Sequence, residues 1–96
     1  MKQKIQLLHP VGKKAVKMDK DKYELMSKTI LNILKTRKGL THTEILQAVT
    51  QNFEQNKVIF NGAVAWHMEW VKLDLEARNE IKKMPGQTPV KYSLAN

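Results

Sequence analysis

Hydrophobic residues recur three and four positions apart from about residue 23 onward, and this spacing predicts an amphipathic helix. Asp21 and Glu24 have the spacing of a capping box and predict that the helix begins at Asp21. Gly39 follows two basic residues and predicts the left-handed residue just past the helix end. The predicted apolar face consists of Tyr23, Met26, Ile30, Ile33 and Leu34.

The same spacing predicts a second helix over residues 42–54. Its apolar face consists of Ile45, Leu46, Val49 and Phe53. Thr41 and Glu44 form a T-x-x-E capping box immediately in front of it. Because only residues 39–41 separate the two helices, we expect them to pack as a pair at a sharp angle.

A third helix is predicted over residues 62–78, with Asn61 as its N-cap and Asn79 at its left-handed stop. Residues 90–94 then alternate apolar and polar side chains, which is the period of a half-buried strand. With the extended residues 80–84 and a proline-containing loop between them, they predict a β-hairpin.

The order of helix, capped helix, long helix and hairpin resembles the winged helix-turn-helix superfamily. Residues 39–45 (G-L-T-H-T-E-I) are similar to the turn into its second helix. Residues 71–83 (V-K-L-D-L-E-A-R-N-E-I-K-K) are similar to a recognition helix that runs into the first wing strand, with Asn79 in place of a glycine. The resemblance implies a third helix that enters the major groove of duplex DNA and a wing that contacts the backbone.

The chain also resembles a small uncharacterised bacterial family of about this length. In that family a tryptophan precedes an L-D-L-E-A segment, and an H-P-x-G stretch, here His9 to Gly12, lies in an N-terminal arm. We therefore predict an α+β fold, mainly α with a small β-hairpin. It consists of a three-helix winged helix-turn-helix domain over residues 19–96 and a basic N-terminal arm over residues 1–18. A short extended segment is expected within the arm at residues 15–18.

The third helix has two apolar stripes on a helical wheel. The first is expected to face the core and consists of Val64, Met68, Val71 and Leu75. The second lies on roughly the opposite side and consists of Trp66, Trp70, Leu73 and Ala77.

Two polar strips between these stripes are predicted to be exposed. One strip consists of Asn61, Lys72, Glu76 and Asn79, with Glu69 at its edge, and the other of His67, Asp74 and Arg78. Lys72 and Glu76 are expected to form an ion pair one helical turn apart. Because the strips hold more acid than base, this helix is unlike one that reads DNA bases.

The second stripe exposes too much apolar surface to be left in water, and three interpretations are open. First, the N-terminal arm folds back over it through Ile5, Leu7, Leu8, Val11, Val16 and Met18. Second, two chains meet there in a symmetric homodimer. Third, the tryptophans stack on bases or form a groove for a partner protein. The candidate interface residues are Trp66, Trp70 and Leu73.

The chain has 17 basic and nine acidic residues, for a net charge of +8, and the positive charge lies at its two ends. Such a charge favours a polyanionic partner. The arm and the wing hold most of the candidate cations. The candidate nucleic-acid contacts are Lys13, Lys14, Lys17, His67, Lys72, Lys82, Lys83 and Lys91.

Other classes of function find no support in the residues. Cysteine is absent, which excludes disulfides and thiolate nucleophiles. His9, His42 and His67 are too scattered for a metal site, and there is no catalytic carboxylate pair or glycine-rich phosphate loop. We therefore expect no enzymatic activity, no metal or other cofactor and no small-molecule substrate. No apolar run could span a bilayer and no secretion signal is evident, so a cytoplasmic protein is expected.

The leading hypothesis is a small bacterial regulator that binds duplex DNA, with much of its affinity from the arm and the wing. The alternative is a protein-interaction or dimerisation module that uses the face around Trp66 and Trp70. Charge reversal at Lys13, Lys14 and Lys17 is expected to abolish DNA binding and to leave the oligomeric state unchanged. Trp70→Ser is expected to do the reverse if Trp70 lies in an interface.

Overall fold

Three helices and two small antiparallel sheets form the α+β fold that the computed structural model describes for residues 3–95. The helices are α1 (Lys20–Thr36), α2 (His42–Gln55) and α3 (Val64–Ala77). The strands are β1 (Lys4–Gln6), β2 (Lys17–Asp19), β3 (Leu40–Thr41), β4 (Ile81–Lys83) and β5 (Lys91–Leu94). The first two residues of the predicted arm and the last residue of the predicted domain lie outside the described residues.

The N-terminal segment forms a strand pair against the helices rather than the irregular arm that was predicted. β1 pairs with β2, so that Ile5 lies opposite Met18. The extended segment expected at 15–18 is therefore found two residues later, as β2. Leu7 and Met18 are buried in the same core as the helices, so this segment contributes to that core.

The start of α1 differs from the prediction because β2 leads directly into the helix. Asp19, the last residue of β2, is the N-cap, and its side chain makes no capping hydrogen bond. The capping box predicted from Asp21 to Glu24 is therefore wrong. α1 ends at Thr36, and Gly39 adopts the predicted left-handed conformation (φ 73°) in the turn into β3.

The capping box of α2 is confirmed. The backbone N–H of Glu44 donates to the Thr41 hydroxyl at 3.1 Å, and the Thr41 N–H donates to the Glu44 carboxylate at 2.9 Å. α3 begins at Val64 with Ala63 as its N-cap, so the prediction of Asn61 at that position is wrong. Asn79 is left-handed (φ 61°) just past α3, as predicted.

The helical stripes predicted to form the core are confirmed. The buried members of these stripes are Met26, Ile30, Ile33, Leu34, Ile45, Val49, Phe53, Met68, Val71 and Leu75. Tyr23, Leu46 and Val64 pack against them half-buried. The burial of these side chains holds the three helices together, since each large apolar side chain contributes about 1.5–3 kcal/mol of transfer free energy.

The C-terminal hairpin is also confirmed, and it joins a third strand that was not predicted. β5 is the central strand of this sheet, between β3 and β4. Leu40 of β3 lies opposite Tyr92 of β5, and Ile81 of β4 lies opposite Leu94. With only two residues, β3 is too short to show the alternation by which a strand is recognised.

Candidate functional site

Three polar residues of α3 are buried, whereas the sequence predicted two solvent-exposed polar strips. Asp74 is completely buried, and Lys72 and His67 are also buried. The prediction is therefore wrong for these three residues. A helical wheel cannot show that β5, the N-terminal segment and the loop before α3 supply polar or aromatic partners for them.

Lys72 is enclosed between α3 and β5. Its ammonium donates to the Tyr92 hydroxyl at 2.9 Å and lies 4.0 Å from the centre of the Tyr92 ring, a cation–π contact. The predicted pair with Glu76 does not form, because the Glu76 carboxylate lies 4.0 Å from the ammonium of Lys83 of β4 instead. Lys72 is only 5% exposed, which removes it from the candidate nucleic-acid contacts.

His67 is held by aromatic rings rather than presented to a ligand. Its ring lies edge-on to Phe60 at 4.8 Å and to Trp66 at 4.9 Å between ring centres. Its Nδ1 lies 2.7 Å from the carbonyl oxygen of Ala63, one turn earlier. Because His67 is buried beside these two rings and its Nδ1 already lies within hydrogen-bond distance of a carbonyl oxygen, it also leaves the set of candidate nucleic-acid contacts.

Asp74 joins the N-terminal segment to α1 and α3. Its carboxylate accepts hydrogen bonds from the backbone N–H of Leu8 at 2.8 Å, from the Tyr23 hydroxyl and from the Arg78 guanidinium at 2.9 Å. Burial of Tyr23, together with its hydrogen bond to Asp74, raises the pKa of that phenol above its usual value. The hydrogen bond to Asp74 likewise raises the pKa of Arg78.

Sequence reasoning did not find this role for Asp74. The sequence did contain one signal of its burial. Asp74 is flanked by Leu73 and Leu75 on a helix with two apolar stripes, and such a helix has little solvent-exposed surface for a carboxylate. The structure assigns Asp74 to anchoring the N-terminal segment, and it leaves Arg78 only partly available to a ligand.

The second apolar stripe of α3 is covered at one end and open at the other. Trp70 is half-buried and lines a groove with Ala15 and Val16 of the N-terminal segment. Trp66 remains 42% exposed, 6.5 Å from Trp70 between ring centres. The interpretation that the arm folds back therefore holds for Trp70, whereas Trp66 stays open to solvent. Of the arm residues expected to cover the stripe, Leu8 and Val11 are exposed.

The lysines predicted outside α3 lie at the surface. The exposed ones are Lys13, Lys14, Lys17, Lys82 and Lys83, and Lys91 is half-buried. Lys13 and Lys14 line a cleft with Ala77, the last residue of α3. Within residues 3–95, neither of these two lysines forms an ion pair.

The fold brings two further lysines close to one of these exposed lysines. Lys35 and Lys38, at and just past the end of α1, line a cleft with Lys82 of β4. An adjoining cleft contains Lys35 together with Asn79 and Glu80, which follow α3. The sequence showed a cluster of positive charge at residues 28–38, but nothing in it connected that cluster with the hairpin.

The exposed surface of α3 itself lacks a cation. The well-exposed residues of this helix are Ala65, Trp66 and Glu69. This surface is apolar and acidic, and it would repel phosphate.

No metal-binding cluster of three or more His, Asp or Glu side chains occurs in the part of the chain that the structure describes. None of the helices formed by residues 3–95 has both the length and the hydrophobicity to cross a membrane.

Comparison with known proteins identifies a family for this chain. Neither the curated proteins nor the solved structures contain a match to it. One family model does match, and it extends over residues 4–92, from β1 to the central strand of the second sheet. The chain therefore belongs to DUF6958, a family of unknown function.

Proposed function

We propose that this chain is a winged-helix protein that binds duplex DNA through phosphate contacts, without base recognition by α3. The strand order supports the winged-helix part of the proposal. β3 lies between α1 and α2 along the chain and pairs with the hairpin that follows α3, with β5 in the centre. This hairpin corresponds to the wing that the resemblance implies. The proposal includes no catalytic activity and no cofactor.

The observation that carries the proposal is the position of the unpaired lysines. The turn after β1 brings Lys13 and Lys14 beside Ala77, four residues before β4. These two lysines, which are distant from α3 in the sequence, thus lie beside its C-terminal end. Lysines there can neutralise backbone phosphates, which supplies sequence-independent affinity.

The exposed face of α3 argues for backbone contacts in place of base reading. Lys72 is the one Lys or Arg within Val64–Ala77, and it is buried against Tyr92. The well-exposed polar side chain of the helix is Glu69, an acid. Specific base contacts in the major groove generally come from Arg, Lys, Asn or Gln.

The test is a fluorescence-anisotropy titration of the protein against a random-sequence duplex at about 50 and about 200 mM salt. If about four phosphates are neutralised, the affinity is expected to fall on the order of 100-fold between these two conditions. Absence of binding at the lower salt concentration would exclude the proposed function.

Paired charge reversals separate a local site from a general charge effect. The double variant Lys13→Glu/Lys14→Glu is expected to weaken binding by at least roughly tenfold and to lower the salt slope by about two. The matched control is Lys20→Glu/Lys57→Glu, which changes the net charge by the same amount. Lys20 is at the opposite end of α1 from Lys35, about 22 Å away along the helix. Equal losses in both variants would show that no local lysine site exists.

A second candidate function, a protein-interaction or dimerisation module, is favoured by the exposure of Trp66. A large aromatic ring that is 42% exposed beside half-buried Trp70 is typical of an interface anchor. Sedimentation equilibrium of the wild type and of Trp66→Ser tests the homodimer. Dimerisation that is lost in the variant and retained in Lys13→Glu/Lys14→Glu would support it. A wild type that stays monomeric would exclude the homodimer.

A further inference from the structure

A cleft between the end of α1 and the β4–β5 hairpin brings together three lysines from two separate parts of the chain. Its volume is about 230 Å³. The lining residues are Leu34, Lys35, Lys38, Lys82, Ser93 and Leu94. Lys82 and Ser93 lie opposite each other in the strand register, so their side chains point to the same face of the sheet.

No acidic side chain balances the three lysines. Among the described residues, Lys35, Lys38 and Lys82 form no ion pair. Glu80 shares the adjoining cleft with Lys35, but the two are farther apart than ion-pair distance. Three neighbouring ammonium groups repel one another, so a bound anion would lower their electrostatic energy.

The dipole of α1 accounts for only one of these lysines. Lys35 lies in the last turn of the helix, where a cation stabilises the negative end of the dipole. Lys38 lies beyond the helix end, and Lys82 belongs to β4. The helix dipole therefore does not account for the presence of Lys38 and Lys82 at the cleft.

We propose that this cleft binds a phosphate group. Each lysine ammonium offers three hydrogen-bond donors and a full positive charge, and the Ser93 hydroxyl offers one further donor. The oxygens of a phosphate group are acceptors, and lysine binds phosphate as a point charge. The Ser93 hydroxyl now donates only a long hydrogen bond of 3.3 Å to the carbonyl of Leu94, which leaves it able to turn to a ligand.

The phosphate group has two sources that share this chemistry. It is a phosphodiester of the DNA backbone if the proposed function is correct, and in that form the inference rests on that function. It is a free phosphate or a small phosphate ester otherwise. Because the cleft is lined by residues other than Lys13 and Lys14, the two proposals can fail separately.

The experiment is a ¹H–¹⁵N correlation spectrum of the full chain during titration with inorganic phosphate, at ionic strength held constant with sodium chloride. A second titration uses a short random-sequence duplex. We expect phosphate to shift the amide signals of Lys35, Lys38, Lys82 and Ser93 in a saturable manner. We expect the duplex to shift the same signals.

Two variants of the cleft and one control assign the shifts to the proposed contacts. Lys82→Gln removes one charge and is expected to weaken phosphate binding by at least roughly tenfold, as for the loss of one charge-assisted hydrogen bond. Ser93→Ala is expected to weaken it by a smaller factor. The control Lys57→Gln removes one charge from an exposed loop residue and is expected to leave phosphate binding unchanged. The spectra of the variants also report whether each one is folded.

Each outcome decides between the proposals. Saturable shifts of the cleft signals with phosphate and with duplex support both this inference and the DNA-binding function. Shifts of the cleft signals with phosphate alone support the cleft and assign it to a free phosphate compound. The DNA-binding function is overturned in that case only if the duplex shifts no signal of the protein. If duplex binds but neither ligand moves the cleft signals, the cleft proposal is wrong and the DNA-binding function stands. Equal weakening of phosphate binding by Lys82→Gln and Lys57→Gln would also show that the cleft proposal is wrong.

Discussion

The two ends of α3 present opposite chemistry to the solvent. Its N-terminal half exposes Trp66 and Glu69, so the helix shows an apolar and acidic surface there. Its C-terminal end buries Asp74 and lies beside the lysines of the N-terminal segment. The helix thus buries a carboxylate and exposes a tryptophan, an inversion at two positions of a helix that otherwise buries its apolar stripe.

This inversion has a physical cause in the N-terminal segment. When residues 4–19 fold against the helices, the backbone N–H of Leu8 loses water and needs an acceptor, which Asp74 supplies. The segment covers Trp70 but does not extend over Trp66. One end of α3 is therefore suited to a protein partner, and the other end places cations where phosphate can reach them.

The largest expected effect comes from removing the buried anchor. Asp74→Ala is expected to lower the free energy of unfolding by about 2–4 kcal/mol, chiefly because the Leu8 N–H and the Tyr23 hydroxyl lose their acceptor, while the partly exposed Arg78 can turn to solvent. The measurement is urea denaturation followed by circular dichroism, with hydrogen exchange of the Leu8 amide as a local readout.

The control for this prediction is Asp21→Ala, which removes an exposed acid from the first turn of α1. Its expected cost is less than about 1 kcal/mol. A similar loss in both variants, or an unchanged exchange rate at Leu8, would contradict the anchoring role of Asp74.

The next effect compares the two tryptophans. Trp70→Ser is expected to lower the free energy of unfolding by about 2–3 kcal/mol, since it removes a half-buried ring that packs against the N-terminal segment. Trp66→Ser is expected to cost less than about 1 kcal/mol, because much of its ring is already in water. Urea denaturation of both variants measures the difference. Equal costs would show that Trp66 is also covered.

A smaller effect concerns His42, the first residue of α2, whose ionisation is influenced by Lys72 and Glu69 of α3. Its partial burial, and then the charge of Lys72, lower its pKa below the usual 6.5, while Glu69 acts in the opposite direction. The folded state therefore binds fewer protons than the unfolded state below about pH 6.5, so stability falls as the pH falls through that range.

His42→Gln removes this group and is expected to reduce the loss of stability between about pH 7.5 and about pH 5.5. The lower limit stays above the range of Glu44, whose pKa is held below 4.5 by its capping hydrogen bonds with Thr41. Urea midpoints at the two pH values measure the change. If the variant loses as much stability as the wild type, His42 does not face the Lys72 side of α3.

The smallest expected effect tests whether α3 faces DNA. Glu69→Gln is expected to change the affinity for duplex DNA by less than about twofold, because the proposed contacts lie at the other end of the helix. Anisotropy at low salt measures it. A large gain in affinity would indicate that the α3 surface itself approaches the phosphates.

Local chemistry made part of the fold predictable. The capping box of Thr41 and Glu44 was predicted correctly because both partners are within one turn of each other. The equivalent pattern at Asp21 failed because β2 runs directly into α1 and moves the start of the helix. Whether a capping pattern in the sequence forms in the structure therefore depends on the elements that precede and follow it.

Part of the candidate site was predictable for the same reason. Lysines such as Lys13 and Lys82 need no partner, so their exposure follows from their charge. Lys72 and His67 were assigned wrongly because a ring from β5 and rings near the start of α3 shelter them. Nothing in the order of the residues indicates such partners.

The sequence by itself determined the three helices, the hairpin, their core faces and the basic charge of the chain, because these follow from periodicity and composition. Only the tertiary structure decided which charges are buried, that Asp74 anchors the N-terminal segment, and that Lys35, Lys38 and Lys82 share a cleft. These features join residues far apart along the chain. Their energies depend on distance and burial in three dimensions, which no local pattern records.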